Sequence, residues 1–141
     1  MSTDPATESP APSSKVAVWS GRVISTLLVL AMLMGVFMNL SGNEEAVKGA
    51  VALGYPEDAL FGIGIALLVS TVLYAIPRTS VLGAILLTGY LGGAVATHIR
   101  AGEGWGSTAP AFVFGALVWL GPLLRNRRVR ALLPLVRRSG V

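Results

Sequence analysis

The chain has 141 residues, of which 53% are hydrophobic and 13% charged, with 17 glycines, one histidine and no cysteine. A water-soluble domain needs a polar face on every element, so long stretches without one exclude an ordinary soluble fold and point to one membrane-embedded domain. The net charge of +4 comes largely from arginines that follow an apolar run, which marks a membrane flank and argues against a nucleic-acid partner.

Without cysteine, disulfides, thiolate nucleophiles and iron–sulfur ligation within the chain are ruled out. A lone histidine, His98, cannot build a histidine-based metal site, so no metal is expected. No cofactor is predicted from the residues.

Residues 1–15 are rich in Ser, Thr, Pro and Ala, too polar to bury anything, and are expected to be a disordered tail. Four apolar segments follow, predicting helices over about 17–40, 59–76, 79–99 and 108–124 within a transmembrane domain over 16–125. Their uncharged stretches of roughly 18 to 21 residues match about 30 Å of hydrocarbon. Lipid cannot satisfy backbone polar groups, so helix is the conformation left to them. The expected fold is therefore all-α, an integral membrane four-helix bundle. A cleaved signal peptide fits the first segment poorly: the run is too long, Asp4 and Glu8 precede it, and no A-x-A site follows.

Orientation comes from the flanks. Lys15, Arg22, Arg78 and the C-terminal arginines fall on one side; Glu44, Glu45, Glu57, Asp58 and Glu103 fall on the other with Lys48 and Arg100. Basic residues prefer the cytoplasmic side, so both termini are predicted to be cytoplasmic.

The connections carry their own signals. Ile76-Pro77-Arg78-Thr79 is so short that the second and third spans must be antiparallel neighbours. Pro77 ends one helix, and Thr79 or Ser80 can cap the next. Between Ser41 and Glu57, the Ser41-x-x-Glu44 spacing suggests a capping box, and Val47 and Val51 share a face of a short surface helix closed by Gly54-Tyr55-Pro56. Residues 126–141 form a basic amphipathic tail, in which Val129, Leu132, Leu133 and Val136 alternate with arginines up to a break near Pro134. Together with Arg125, the side chains of Arg127, Arg128 and Arg130 are expected to touch anionic headgroups.

Small residues at four-residue spacing mark helix contacts in lipid. Gly62, Ala66 and Ser70 form one such stripe, Gly89, Gly93 and Thr97 a second, and Gly115 a contact on the fourth span. These predict the third span as the central member.

Candidate ligand residues are few. His98 and Tyr90 lie on one face of the third span, Tyr74 lies at the other end of the second, and Arg100 sits at the outer mouth. A histidine there can bind a quinone carbonyl or move a proton; the plainer alternative is an interfacial histidine bonded to a loop carbonyl. Arg100 and Glu103 could hold an anion or pair with each other or with Glu57 and Asp58. Trp19, Trp105, Trp119 and Tyr55 suit an aromatic belt. The glycines at 102, 104 and 106 follow no strand and lack a Lys-Ser/Thr sequel, so they are not a phosphate loop. Ser107 and Thr108 have no base partner. No acid, lysine or arginine lies in the middle of a span, which counts against proton-driven transport.

The run Leu73-Tyr74-Ala75-Ile76-Pro77-Arg78-Thr79, continuing through Leu82-Gly83-Ala84 and Thr88-Gly89-Tyr90-Leu91-Gly92-Gly93 to Thr97-His98-Ile99-Arg100, resembles the DoxX-like family of small bacterial membrane proteins. Leu53-Gly54-Tyr55-Pro56 and Arg130-Ala131-Leu132-Leu133-Pro134 look similar too. The resemblance implies a four-helix protein of the bacterial inner membrane, with relatives associated with thiosulfate:quinone oxidoreductase subunits and with oxidative-stress complexes. Where many relatives are expected to carry an acid in the second span, this chain has Ala66 and Leu67, and its first span lacks a closing Gly-x-Lys.

The functional expectation is a non-catalytic membrane component that binds an apolar ligand or partners a membrane protein or a second copy of itself. A quinone-linked oxidoreductase subunit, with quinone as a possible cofactor, is the alternative. A carrier of a small apolar or neutral solute is the third.

Overall fold

The computed structural model describes residues 14–132, which form six helices and no strand: α1 (Lys15–Leu40), α2 (Glu44–Ala52), α3 (Ala59–Ala75), α4 (Ser80–Arg100), α5 (Trp105–Arg125) and α6 (Arg127–Leu132). The expected N-terminal disorder, the break near Pro134 and the arginines at 137 and 138 lie outside the described residues. Helices α1, α4 and α5 are long and apolar enough to cross a membrane, whereas α3 is an apolar helix of 17 residues.

The four long helices close into a ring. Helix α1 packs against α3 and α5, and α4 packs against the same two. This corrects the expectation of a central third span, because α4 occupies one corner of the ring. The core between them holds Leu28, Met32 and Val36 of α1, Leu67 and Tyr74 of α3, Ala84, Leu87 and Leu91 of α4, and Val118 of α5.

Outward, the same helices present Leu27, Leu30, Met34, Phe37, Val69, Ile85 and Val113 to the surroundings. A soluble protein would pair so continuous an apolar exterior with water at great expense. Here the outer surface matches hydrocarbon, and the chain is a membrane protein.

Close backbone approach is made at glycines other than those the spacing suggested. A Cβ on Gly21 would stand 2.8 Å from the Gly121 carbonyl oxygen, and one on Gly121 would strike Ser25 Oγ, so α1 and α5 meet through paired glycines. A Cβ on Gly64 would stand 2.7 Å from Leu40 Cδ2 and 3.1 Å from Asn39 Cβ, which ties α3 to α1. A Cβ on Gly83 would run into the backbone of Leu73 and Tyr74, which seals the α3–α4 hairpin. By contrast, a Cβ on Gly62, Gly89, Gly93 or Gly115 would meet nothing within 4 Å, and Ala66 is exposed. Of the expected α3 stripe only Ser70 is buried, and its hydroxyl donates back to the Ala66 carbonyl at 2.7 Å.

Caps also differ in detail. Asn43 rather than Ser41 starts α2, its Oδ1 accepting from the backbone N–H of Glu45 at 2.9 Å and of Ala46 at 3.4 Å. Asparagine sits immediately before the helix, where its short side chain reaches the free N–H groups. Ser41 instead ends α1, donating to the Met38 carbonyl at 3.3 Å. Thr79 occupies the position before α4 without capping it; its hydroxyl reaches back to the Leu73 carbonyl at 2.8 Å and pins the hairpin.

Candidate functional site

The site is built on the C-terminal end of α4. That helix stops in a turn where Gly102 takes φ +71°, the left-handed backbone that glycine adopts at no steric cost. The N–H of Glu103 then donates to the His98 carbonyl at 3.0 Å and that of Gly102 to the Ile99 carbonyl at 3.1 Å, the crossed pair of bonds that closes a helix C-terminus. The turn folds Glu103 back over the last helical turn, and its Oε2 lies 2.8 Å from His98 Nδ1.

Helix α2 ends in the same way. Gly54 takes φ +86°, Tyr55 N–H donates to the Ala50 carbonyl at 2.9 Å, and Gly54 N–H to the Val51 carbonyl at 2.9 Å. This turn aims Tyr55 at α4, where its hydroxyl stands 2.8 Å from Thr97 Oγ1. Thr97 already donates to the Gly93 carbonyl at 2.9 Å, so Tyr55 is the donor of the pair. Arg100 completes the junction: its Nη2 donates to the Leu53 carbonyl at 2.8 Å.

Beneath α2 lies a cavity of about 570 Å³, within the size range of small-molecule sites. Its roof is Ala46, Gly49 and Ala50 of α2; its walls include Asn39 of α1, Leu67 of α3, and Gly89, Tyr90, Gly93 and His98 of α4. The open space at Gly89 and Gly93 therefore belongs to the cavity and not to a helix contact. The inward face of α2 is its small residues, with Ala50 buried, while Val51 points outward.

The matching family model is that of the DoxX-like family, over residues 23–121. The chain belongs to the DoxX-like family. No curated protein and no solved structure matches it. The match takes in every wall of the cavity, and the long helices of this DoxX-like protein are the frame on which the cavity hangs.

Two of the four residues singled out as ligand candidates, Tyr90 and His98, line this cavity. Arg100 lies at its edge but is engaged with the Leu53 carbonyl, which replaces the pairing with Glu103, Glu57 or Asp58 that its charge suggested. Tyr74 is elsewhere. It is 1% exposed in the core, donates to the Val118 carbonyl at 3.0 Å and stands 3.2 Å from Ser25 Oγ, so Ser25 is the donor of that second bond. Its role is to join α3, α5 and α1. Trp119, expected in an aromatic belt, instead reaches across to Thr88 Oγ1 at 2.9 Å, while Trp19 and Trp105 are exposed. At the other end of the bundle Arg128 and Arg130 are exposed, whereas Arg125 and Arg127 each keep one nitrogen, Nη2, buried, and Val129 is buried.

Electrostatically the site centres on Glu103. The hydrogen bond from His98, followed by one from Ser107, holds its carboxyl below the usual glutamate range. An ionised carboxylate accepts hydrogen bonds and donates none, so the His98 Nδ1 carries the proton between them. In the neutral ring Nε2 is then an acceptor, and it has no hydrogen-bond partner among the described residues. No group of three or more His, Cys, Asp and Glu side chains suited to a metal occurs among the described residues.

Sequence reasoning missed Asn39, Glu103 as the partner of His98, and α2 as the roof. The signal for the second was present: glycine four residues after a histidine, followed by an acid, is the pattern of a helix end that folds its acid back.

Proposed function

We propose that this chain is a four-span membrane protein, both termini cytoplasmic, that serves as a non-catalytic binding component and holds a small apolar molecule in the cavity beneath α2. The observation that carries this is the cavity itself: about 570 Å³ lined mostly by glycine, alanine and leucine, with Asn39, Tyr55, Tyr90, Thr97 and His98 as its few polar groups. Sites for small ligands have this mixture of an apolar wall and sparse, placed polar groups.

Helix α3 is counted as a span because 17 residues at about 1.5 Å each reach about 26 Å, close to the hydrocarbon thickness, and because it packs between α1 and α4. The orientation rests on Lys15, Arg22, Arg78 and the arginines from 125 to 130 all lying at the end opposite α2 and Glu103. In that orientation the cavity lies towards the outer leaflet, where an apolar ligand partitions from lipid. Non-catalytic binding is supported by the bonding of the site's hydroxyls: Tyr55 donates to Thr97 and Thr97 to a backbone carbonyl, which leaves neither as a nucleophile beside His98.

Native mass spectrometry of the gently solubilised protein, with lipid analysis of the same sample, tests the reading. A small apolar molecule should be retained by the wild-type chain and lost from Gly93→Leu, whose side chain fills the cavity. Retention of the same molecule by both would place it on the outside of the bundle and overturn the proposal.

A second reading, a membrane subunit of a quinone-linked oxidoreductase, is favoured by Tyr90 and His98 sharing the cavity wall. It needs a partner protein to carry a redox centre. Quinone in the extract, together with a co-purifying redox protein, would favour it over the first.

A further inference from the structure

We infer that the cavity's ligand is an apolar molecule carrying a single hydroxyl, and that His98 Nε2 accepts the hydrogen bond from that hydroxyl. The inference rests on the proposed binding role and adds the chemistry of what is bound.

Tyr55 donates to Thr97, and Thr97 to the Gly93 carbonyl. The Tyr90 hydroxyl has the Asn39 side chain as its neighbour. Arg100 is turned to the Leu53 carbonyl. His98, a cavity-lining residue whose side chain is 25% exposed, keeps its second nitrogen without a hydrogen-bond partner among the described residues. With the ring neutral, the bond to Glu103 keeps the proton on Nδ1 and leaves Nε2 a lone pair. A carbonyl ligand would set lone pair against lone pair there. A hydroxyl supplies the missing donor, and the apolar walls accept the rest of the molecule. Full anions are disfavoured for the same reason, with Glu103 directly behind the ring. Glu103 is thus a positioning residue, acting through the ring it orients.

The test uses the full-length protein in lipid nanodiscs and three photoreactive probes that carry the same diazirine: octanol, octane and the methyl ester of octanoic acid. Crosslinks are mapped by peptide mass spectrometry to the cavity segments 35–39, 46–55 and 89–98. Octanol should label these segments about tenfold more than the ester or the alkane, the scale expected when one buried acceptor is left unmet. Unlabelled octanol and 4-butylphenol, both hydroxyl donors, should compete. His98→Phe should keep the labelling and lose the preference. Glu103→Ala should weaken the preference, and Glu103→Gln, whose amide oxygen still accepts from Nδ1, should restore it. Equal labelling by all three probes, or a preference that survives His98→Phe, overturns the hydroxyl inference and leaves the binding cavity standing. Failure of every probe to label the cavity segments overturns the binding role, and the inference with it.

Discussion

Tyr55 and Thr97 are 42 residues apart in the chain, yet the Tyr55 hydroxyl donates to Thr97 Oγ1 across 2.8 Å. This bond and the one from Arg100 to the Leu53 carbonyl are the two polar ties that hold the C-terminal end of α2 down on α4. The remaining hold on the roof is apolar and small, through Ala46 and Ala50.

Removing the first tie should loosen the roof without unfolding the bundle. Tyr55→Phe keeps the ring and loses one hydrogen bond, worth about 1 kcal/mol. Amide exchange of residues 44–55 should accelerate by roughly fivefold, while α1 and α4 keep their protection. Unchanged exchange in α2 would show that the apolar contacts alone set the roof's position.

Two glycines ten residues apart on α4 should respond very differently to a larger side chain. At Gly83 the added carbon meets the backbone of the preceding helix, which cannot yield as a side chain can. Gly83→Ala is expected to destabilise by about 2 kcal/mol or more, seen as a clear fall in the melting temperature in detergent. At Gly93 there is open space, so Gly93→Leu should melt within a few degrees of the wild type. A large loss of stability at Gly93 with little at Gly83 would reverse the assignment of packing and cavity glycines.

The contrast also shows how far the sequence could be read. The spans were legible because uncharged length and flanking charges are one-dimensional properties: the expected 59–76 and 79–99 lie within a residue of α3 and α4. The hairpin at Pro77 was legible because proline removes a helical option. Which glycines touch was not, since a four-residue stripe looks the same whether it faces a helix or a void. The stripe that does pack α1 was present as Gly21, Ser25, Leu28, Met32 and Val36, all buried, but only its first two members are small, so it lacks the repeated small residues that mark a helix contact. His98 stood out as a polar residue near the end of a span, with Tyr90 on the same face of the helix. The pairing of His98 with Glu103 depends on a left-handed turn at Gly102 that composition alone does not reveal.

Acidification should weaken the His98–Glu103 contact in a direction that follows from the carboxyl. Its value in the folded protein is lowered, so the ionised form is favoured by folding. The stabilisation is present above the ordinary glutamate range and is lost as the pH falls through the lowered folded value. The melting temperature of the wild type relative to Glu103→Ala, followed from neutral pH downward, should converge only below that range. An advantage undiminished in strong acid would mean that the carboxylate charge is not what holds the turn.

Topology offers the most direct check on the four-span arrangement, and the absence of cysteine makes it clean. Single substitutions Glu45→Cys, in the first turn of α2, and Arg128→Cys, in α6, place a thiol at each end of the bundle at exposed positions. In intact cells a membrane-impermeant maleimide should label position 45 and spare position 128, which should react only after the membrane is opened. The reverse pattern would invert the protein and put the cavity on the cytoplasmic side. Labelling of both in intact cells would require an even number of spans between them, and α3, the shortest of the four long helices, would then be the one that fails to cross.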